Sequence, residues 1–307
     1  MRVTQSMLSN NMLRNLSASY NKMGKLQEQL TTGSKLNRPS DDPVATIKGM
    51  GYRSTLVKNE QFTRNMNEVT SYLDSSDTSL GQVGDALKRV KELTVQAATD
   101  TTTDEDRMSI RTEIDQIRQQ IRDVANTQVG DKYIFSGSNT LSPLYPDSTV
   151  NATAGTVILE ANMGGNSENL PIELYDGIQI NMNTNAKAMF KEIDDFMSNI
   201  QTAMTDPDIL NAGSTSGTAI GDQLSKLAKI TDHVLNVRAE VGAKENRVDS
   251  MMDRLSSQKL TVTKAMSNNE DVEYEATITQ LITEESIHRA ALSVGAKILQ
   301  PTLVDFL

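Results

Sequence analysis

The chain has 307 residues, which is enough for a buried core and, by length, for about two domains. Forty acidic residues against 30 basic ones give a net charge of -10, which disfavours bulk attraction to nucleic acid or to anionic lipid. There is no cysteine and no tryptophan. Disulfides, cysteine-ligated zinc and cysteine nucleophiles are therefore excluded, and a large aromatic core is not expected.

The first residues, MRVTQSMLSNNMLRNL, contain no apolar block of the length found in a secretory signal. No stretch of the sequence approaches 18 consecutive apolar residues. We therefore expect no membrane insertion. If the protein works outside the cell, it must be exported by a route that needs no cleaved signal.

The first predicted element is a helix whose apolar residues recur at a spacing of three or four, with Gln27 as an interruption. These residues are Leu13, Leu16, Tyr20, Met23 and Leu30. In the segment TTGSKLNRPSDDPVA that follows, Gly33 can end this helix, Asp41 or Asp42 can cap the next, and Pro43 suits its first turn.

Two proline-free tracts, 44–142 and 208–300, leave room for long helices. In the first tract, a row of β-branched residues predicts a helix over about 103–128. The row consists of Ile110, Ile114, Ile117, Ile121 and Val124. Thr102 and Glu105 have the spacing of a capping box just ahead of it.

The second tract carries a heptad seam with one polar member, Lys244. Its other members are Leu227, Ile230, Val234, Val237, Val241, Val248, Met251 and Leu255. We expect this seam to pack against the 110–124 helix. The spacing alone does not separate a bundle core from an oligomeric coiled coil. As a helix, the seam from Leu227 to Leu255 would be about 42 Å long, and this length favours a long helical rod.

Between residues 131 and 185 the sequence changes to short β-prone runs, YIFSGS, TVILEAN and LPIELYDGIQIN. Asp176 and Gly177 have the pattern of a two-residue hairpin turn. A helix is predicted over 186–205 and a loop over 211–217. The predicted fold class is therefore mainly α, with helices at both chain ends forming a coiled-coil rod and a small β-rich domain inserted in the middle.

The sequence offers little for catalysis. It has two histidines, His233 and His288, and neither has a partner at the spacing of a zinc site. The acidic run 104–106 lacks the glycine and alternating ligands of a calcium loop, and Gly164 with Gly165 is typical of a turn. We therefore predict no enzymatic activity and no catalytic, cofactor-binding or metal-binding residue.

The two chain ends have opposite charge. Residues 1–38 hold six basic residues and one acidic one, for a net +5. Residues 270–307 hold two basic residues and seven acidic ones, for a net -5. This pattern indicates an antiparallel or intersubunit pairing of the terminal helices, although each exposed ion pair would contribute little stability.

Three stretches resemble the bacterial flagellin superfamily. TTGSKLNRPSDDPVA, residues 31–45, is similar to the turn after the first terminal helix in that family. LKRVKELTVQAA, residues 87–98, resembles its rod-domain signature, and ALSVGAKILQPTLVDFL at the C-terminus resembles its last helix. Within the superfamily, GDKYIFSGS at 130–138 and the two chain ends resemble the subunits at the hook-filament junction more than filament flagellins.

The resemblance implies a structural adaptor between the flagellar hook and the filament, with a small filament flagellin as the alternative. Its partners would be copies of itself in a ring, the first hook-associated protein, flagellin and a cytosolic export chaperone. Its location would be extracellular, on the flagellum, after export through the type III channel. A secreted enzyme or adhesin built on the same rod, with its active site in the β domain, is the third hypothesis.

The resemblance also implies a domain plan and a set of functional residues. Terminal coiled-coil segments would span 1–42 and 268–307, a helical rod domain 43–135 and 186–267, and a β-rich outer domain 136–185. Arg89 and Leu93 match positions that, in flagellins, lie on the rod-domain surface that an animal innate immune receptor reads and that neighbouring subunits share. The residues expected in assembly are Leu13, Leu16, Arg38, Asp41, Asp42, Arg89, Leu93, Ile287, Leu292, Ile298 and Leu299. The residues expected in the rod core are Ile110, Ile114, Ile117, Ile121, Leu227, Val234, Val241, Val248 and Leu255.

The terminal seams are interrupted by Gln27, Glu285, His288 and Gly295 and carry few large apolar groups. Such segments bury too little apolar area to offset the entropy of ordering the chain. We therefore predict that both ends, about 1–42 and about 268–307, are disordered or only nascent helix in the isolated subunit and become ordered on assembly.

Overall fold

The computed structural model describes residues 5–99, 103–146, 163–205 and 216–299. These residues are mainly helical, which confirms the predicted fold class. The helices are α1 (Gln5–Thr32), α2 (Pro43–Ala97), α3 (Asp104–Ala125), α4 (Lys187–Thr205), α5 (Ser216–Glu270) and α6 (Tyr274–Leu299). Among the described residues between α3 and α4 there are four short strands: β1 (Gln128–Val129), β2 (Lys132–Tyr133), β3 (Pro171–Tyr175) and β4 (Ile178–Asn181).

The chain forms two compact units. The terminal unit comprises residues 1–58 and 257–307, and the central unit comprises residues 59–256. The structure thus groups the first turns of α2 and the last turns of α5 with the terminal helices, and the strands with the central helices. The three-part division derived from the resemblance stays a prediction.

The helix ends follow local sequence. Gly33 has a φ of 70° directly after the last residue of α1, a conformation that glycine adopts without the steric cost of a side chain. The Asp42 carboxylate accepts hydrogen bonds from the backbone N–H groups of Val44 and Ala45, both at 3.0 Å, and Pro43 begins α2. The predicted Gly33 end and Asp42 cap are confirmed.

The capping box of α3 lies one residue later than predicted. Thr103 accepts from the backbone N–H of Asp106, and the Asp106 carboxylate accepts from the backbone N–H of Thr103. The predicted pair, Thr102 and Glu105, is wrong because a run of threonines followed by a run of acids satisfies the spacing in more than one register. Thr102 itself lies outside the described residues.

The strands form two antiparallel two-stranded sheets. β3 and β4 pair across a two-residue turn of Asp176 and Gly177, with a φ of 76° at the glycine, which confirms the predicted hairpin. Of the YIFSGS run, Tyr133 lies in a strand, whereas Ile134 and Phe135 are buried outside one. The run TVILEAN at 156–162 lies outside the described residues.

One hydrophobic core lies in the central unit and draws on α2, α3, α4, α5 and the hairpin. Phe135 and Phe190 contact each other edge to face at a centroid distance of 5.1 Å. The hairpin is held by Tyr175, whose ring stacks on Phe62 of α2 and lies under the guanidinium of Arg254 of α5 at 4.7 Å. The β residues are therefore part of the helical core.

Candidate assembly surfaces

The terminal helices α1 and α6 pack against each other as an antiparallel pair. Going along α1, Met12 faces Gly295, Tyr20 lies 6.1 Å from the ring of His288, and Lys22 forms an ion pair with Glu284. The contacts on α6 thus run backwards as those on α1 run forwards. Lys22 and Glu284 belong to the oppositely charged chain ends, so this ion pair forms part of the predicted charge complementarity.

The face of α6 that meets α1 is mostly small or polar, with one large apolar member, Leu281, which is half-buried. It presents Glu284, His288, Ala291 and Gly295, and a Cβ at Gly295 would overlap the end of the Met12 side chain. The helices approach closely at this glycine. Gly295 and His288, which interrupt the predicted seam, are therefore contact residues of the pair.

Apart from Leu281, the large apolar side chains described on α6 lie to either side of that contact face and are exposed. One flank carries Ile278, Ile282 and Leu292, and the other carries Ile287 and Val294. On the first flank the charged residues Glu285 and Arg289 separate Ile282 from Leu292, and on the second flank the two residues are two turns apart, so each flank is an interrupted apolar stripe. On α1, Leu13 is 59% exposed while Leu16 is half-buried toward α6.

The predicted assembly residues Leu13, Ile287 and Leu292 are thus exposed in the single chain, and Leu16 is in the α1–α6 contact. The side chains of Ile298 and Leu299 lie outside the described residues. Among the described residues, 18 large hydrophobic side chains are exposed, and 14 of these belong to the terminal unit. Exposed apolar stripes of this kind mark interaction surfaces.

The structure forms α1 and α6 as a pair within one chain, whereas the sequence predicted ends that order only on assembly. Within the pair, Leu26 is buried on α1, and Thr277 is the buried polar residue of α6. The apolar area that stabilises the pair is therefore small.

The turn after α1 is tied to the junction between α5 and α6. The backbone N–H of Lys35 donates to the Glu270 carbonyl at 2.6 Å, and that of Val272 donates to the Gly33 carbonyl at 3.0 Å. Ser34 and Asp271 form an isolated antiparallel bridge. These backbone contacts bring the two distant parts of the sequence together at one point.

The segment that resembles the flagellin turn has ordinary structural roles in this unit. Asp41 accepts from the backbone N–H of Arg38 at 3.0 Å and pairs with Lys25 at 2.9 Å. The hydrogen bond from Lys25, followed by that from the Arg38 backbone, holds the pKa of the Asp41 carboxyl below its usual value. The Arg38 side chain is exposed.

In the central unit, the nine residues predicted for the rod core are all buried in one cluster with α2 and α4. α3 packs on α4. α5 contacts α2 through an ion pair of Arg238 with Asp77 at 2.7 Å, and it contacts α4 through His233 and Glu192 at 2.9 Å.

Lys244, the polar member of the seam, is half-buried. Its ammonium group reaches Glu240 at 3.0 Å and the Asn183 carbonyl at 3.4 Å, so the stem packs while the charge is paired.

Leu93 was expected on the rod surface, and this prediction is wrong. The side chain is 2% exposed and lies in the core between Val90 and Ala97, which are also buried on the same face of α2. Residues 90, 93 and 97 share a helix face, so the local spacing assigns Leu93 inward. Arg89 is on the surface and pairs with Glu113 at 2.8 Å and with Glu92 at 3.0 Å.

A buried ionic cluster between α3 and α4 was missed by the sequence analysis. Arg118 binds both carboxylate oxygens of Asp194 at 2.8 Å, and Arg122 reaches the same carboxylate at 2.8 Å. Gln201 accepts from Arg118 at 3.1 Å and donates to Asp115 at 2.5 Å. Burial raises the pKa of the Asp115 carboxyl. Asp115, Arg118 and Arg122 are three or four apart on α3, and Asp194 and Gln201 are two turns apart on α4, so an i, i+4 pair of arginines on an amphipathic helix is the signal that could have found the cluster.

The described residues contain no group of three or more His, Asp or Glu side chains placed to hold a metal ion. No helix in the described ranges is long and apolar enough to cross a membrane.

Comparison with known proteins agrees with this geometry. The bacterial flagellin N-terminal helical region matches residues 3–140, and the bacterial flagellin C-terminal helical region matches residues 224–307. Together they cover both helical ends and the α2, α3 and α5 portions of the central unit. The chain belongs to the bacterial flagellin family.

Within that family, the chain is 27% identical over 300 residues to flagellar hook-associated protein 3 of Escherichia coli K12, covering 94% of this chain and 93% of that one. It is 24% identical to a flagellin of Bacillus subtilis 168, covering 97% of this chain and 96% of that one. A putative flagellar hook-associated protein from Vibrio parahaemolyticus has the same fold. Its TM-score is 0.64 at 22% identity, over 75% of this chain and 100% of that one.

Proposed function

We propose that this protein is a structural adaptor of the bacterial flagellum that joins the hook to the flagellin filament. The observation that carries the proposal is the terminal unit, which pairs its two helices through an α6 face that is mostly small or polar and leaves apolar stripes exposed on both flanks of α6. A subunit with such flanks gains stability by burying them against neighbours. Similarity to hook-associated protein 3 over nearly the whole chain supports this role.

The partners follow from that role. Copies of the chain would form a ring, the first hook-associated protein would lie on the hook side, and flagellin would follow on the filament side. A cytosolic export chaperone would hold the apolar stripes of the C-terminal segment before export. Export would use the flagellar type III channel without a cleaved signal, and the mature subunit would be extracellular.

The predicted assembly residues have distinct parts in this proposal. Leu13, Ile287 and Leu292 would be buried against neighbouring subunits. Asp41 and Asp42 would hold the turn that leads into α2, and Arg38 would extend from that turn toward a neighbour. Arg89, already paired with Glu113 and Glu92, would add a polar contact. If Arg89→Ala changed neither assembly nor binding by an innate immune receptor, that surface would have no role in either.

A deletion strain tests the adaptor role directly. Cells lacking the gene should retain hooks and release flagellin into the medium, and the wild-type chain should restore filaments. The alternative, a small filament flagellin, predicts cells that lack filament protein altogether. It also predicts long filaments when the purified chain is seeded at high concentration, whereas an adaptor should not elongate.

A further inference from the structure

The start of α2 carries an exposed apolar row that none of the described residues of the chain covers. Ile47, Met50, Ser54 and Val57 follow the 3-4-3 spacing of a coiled-coil seam and are all exposed. The opposite face of the same helix packs on the end of α5, where Gly49 lies against Glu270 and the Ala45 carbonyl accepts from Asn269 at 2.8 Å. This α2 row therefore points away from the helices of its own unit.

The charge around the α2 row selects its partner. Residues 43–59 contain Lys48, Arg53 and Lys58 and no acidic residue. Desolvating this segment against another basic helix would be unfavourable, because like charges at an interface repel. A partner helix must present an apolar row beside carboxylates.

Among the described helices of the terminal unit, α6 meets that requirement on one flank. Ile278, Ile282, Glu285, Arg289 and Leu292 follow a 4-3-4-3 spacing, and the three apolar members are exposed. Between residues 274 and 292, α6 contains the acidic residues Glu275, Glu284 and Glu285 and one basic residue, Arg289, which pairs with Glu285. The exposed apolar residues of α1, Met7, Leu13 and Tyr20, belong to a helix with three basic residues and one acidic one, and Leu260 of α5 lies between Lys259 and Lys264. These alternatives would place like charges together.

We infer that the α2 row of one subunit docks on the Ile278–Leu292 flank of α6 of a second copy of this chain. Both rows are exposed within one chain, so the contact is between copies. The two surfaces differ, so the contact is heterologous, and each subunit keeps one free row of each kind for the next neighbour. Repetition of such a contact closes a ring or extends a helical layer. The inference rests on the proposed self-assembly of the chain and specifies the surfaces that it uses.

The absence of cysteine makes a cross-linking test direct. Met50→Cys and Ile282→Cys variants are co-expressed in the deletion strain, and the assembled layer is treated with a short flexible bismaleimide. The matched control replaces Ile282→Cys by Ile287→Cys, on the same helix and similarly exposed (59% and 51%) but on the other flank. Docking raises the effective concentration of the paired thiols, so the 50–282 dimer should exceed the 50–287 dimer by about tenfold. Met50→Cys alone should give no dimer.

Equal yields for the two pairs, a larger yield for the 287 pair, or dimers of Met50→Cys alone would overturn the inference.

A second measurement uses charge. Lys48→Glu should weaken assembly, and adding Glu275→Lys in the same chain should restore it; unchanged assembly in Lys48→Glu would equally overturn the inference. Failure of the wild-type chain to retain flagellin would instead contradict the adaptor role, and the cross-links would still be scored in seeded polymers of the chain.

Discussion

The two units of this protein differ in how many of their apolar residues they bury within the chain. Of the 41 hydrophobic residues buried in the described chain, 39 lie in the central unit and two, Leu26 and Val272, in the terminal unit. Both units contain long helices. The difference teaches that helix formation and core formation are separate matters: the central unit buries its apolar residues within the chain, whereas the terminal unit forms its helices and, among the described residues, leaves 14 large apolar side chains exposed.

The largest effect should follow from placing a charge in the central core. Val241 is 0% exposed, so Val241→Asp buries an unpaired carboxylate and should cost more than about 4 kcal/mol. Thermal unfolding followed by circular dichroism measures this loss. Val57→Asp in the terminal unit, where the valine is 63% exposed, is the matched control and should leave the midpoint unchanged while reducing assembly. Equal midpoints for the two variants would contradict the contrast between the units.

A second test concerns the ionic cluster of the central unit. Asp194→Asn leaves the guanidinium groups of Arg118 and Arg122 buried beside a neutral amide, which should cost about 3 kcal/mol. Chemical denaturation gives the free energy of unfolding. Asp77→Asn breaks the exposed pair with Arg238 and should cost less than about 1 kcal/mol. If the two substitutions cost the same, burial does not set the strength of these pairs.

Smaller effects should separate two glycines of the terminal unit. Gly33→Ala forces a side chain into the left-handed region and toward the Tyr274 hydroxyl, so it should weaken the α1–α6 pair by about 1–2 kcal/mol. Gly24→Ala adds a methyl group in open space within α1 and should stabilise that helix by up to about 1 kcal/mol. Amide hydrogen exchange of α1 reports both. We also expect α1 and α6 amides to exchange faster than those of the central core in the wild-type monomer. If the two substitutions changed the hydrogen-exchange protection of α1 in the same direction, this prediction would be wrong.

The smallest effect is a pH dependence that acts on the central unit. Burial, together with repulsion from Asp77, Asp74 and Asp249, raises the pKa of Glu245. The ionised Glu245 carboxylate therefore destabilises the fold. The stability that the protonated carboxyl contributes is fully present below the unfolded pKa of 4.5, and it is lost as the pH rises through the higher pKa of the folded state. Glu245→Gln should raise the unfolding free energy at pH 7 by a few tenths of a kcal/mol, because the group is largely solvated. Thermal melts at pH 4 should show no difference between variant and wild type.

The sequence by itself determined what depends on neighbours a few residues apart. The isoleucine row of α3, the heptad seam of α5, the Gly33 end of α1, the Asp42 cap and the Asp176–Gly177 turn all follow from spacing and backbone preference, and the structure contains each of them. The resemblance in the terminal segments was enough to identify the family.

Only the tertiary structure decided which faces meet. It paired Arg118 and Arg122 with Asp194, and it turned the mostly small or polar face of α6 toward α1, so that Ile278, Ile282 and Ile287 are exposed. Periodicity defines a stripe on a helix but not the element that covers it, because that choice depends on the summed packing, charge and close approach of residues far apart in the sequence.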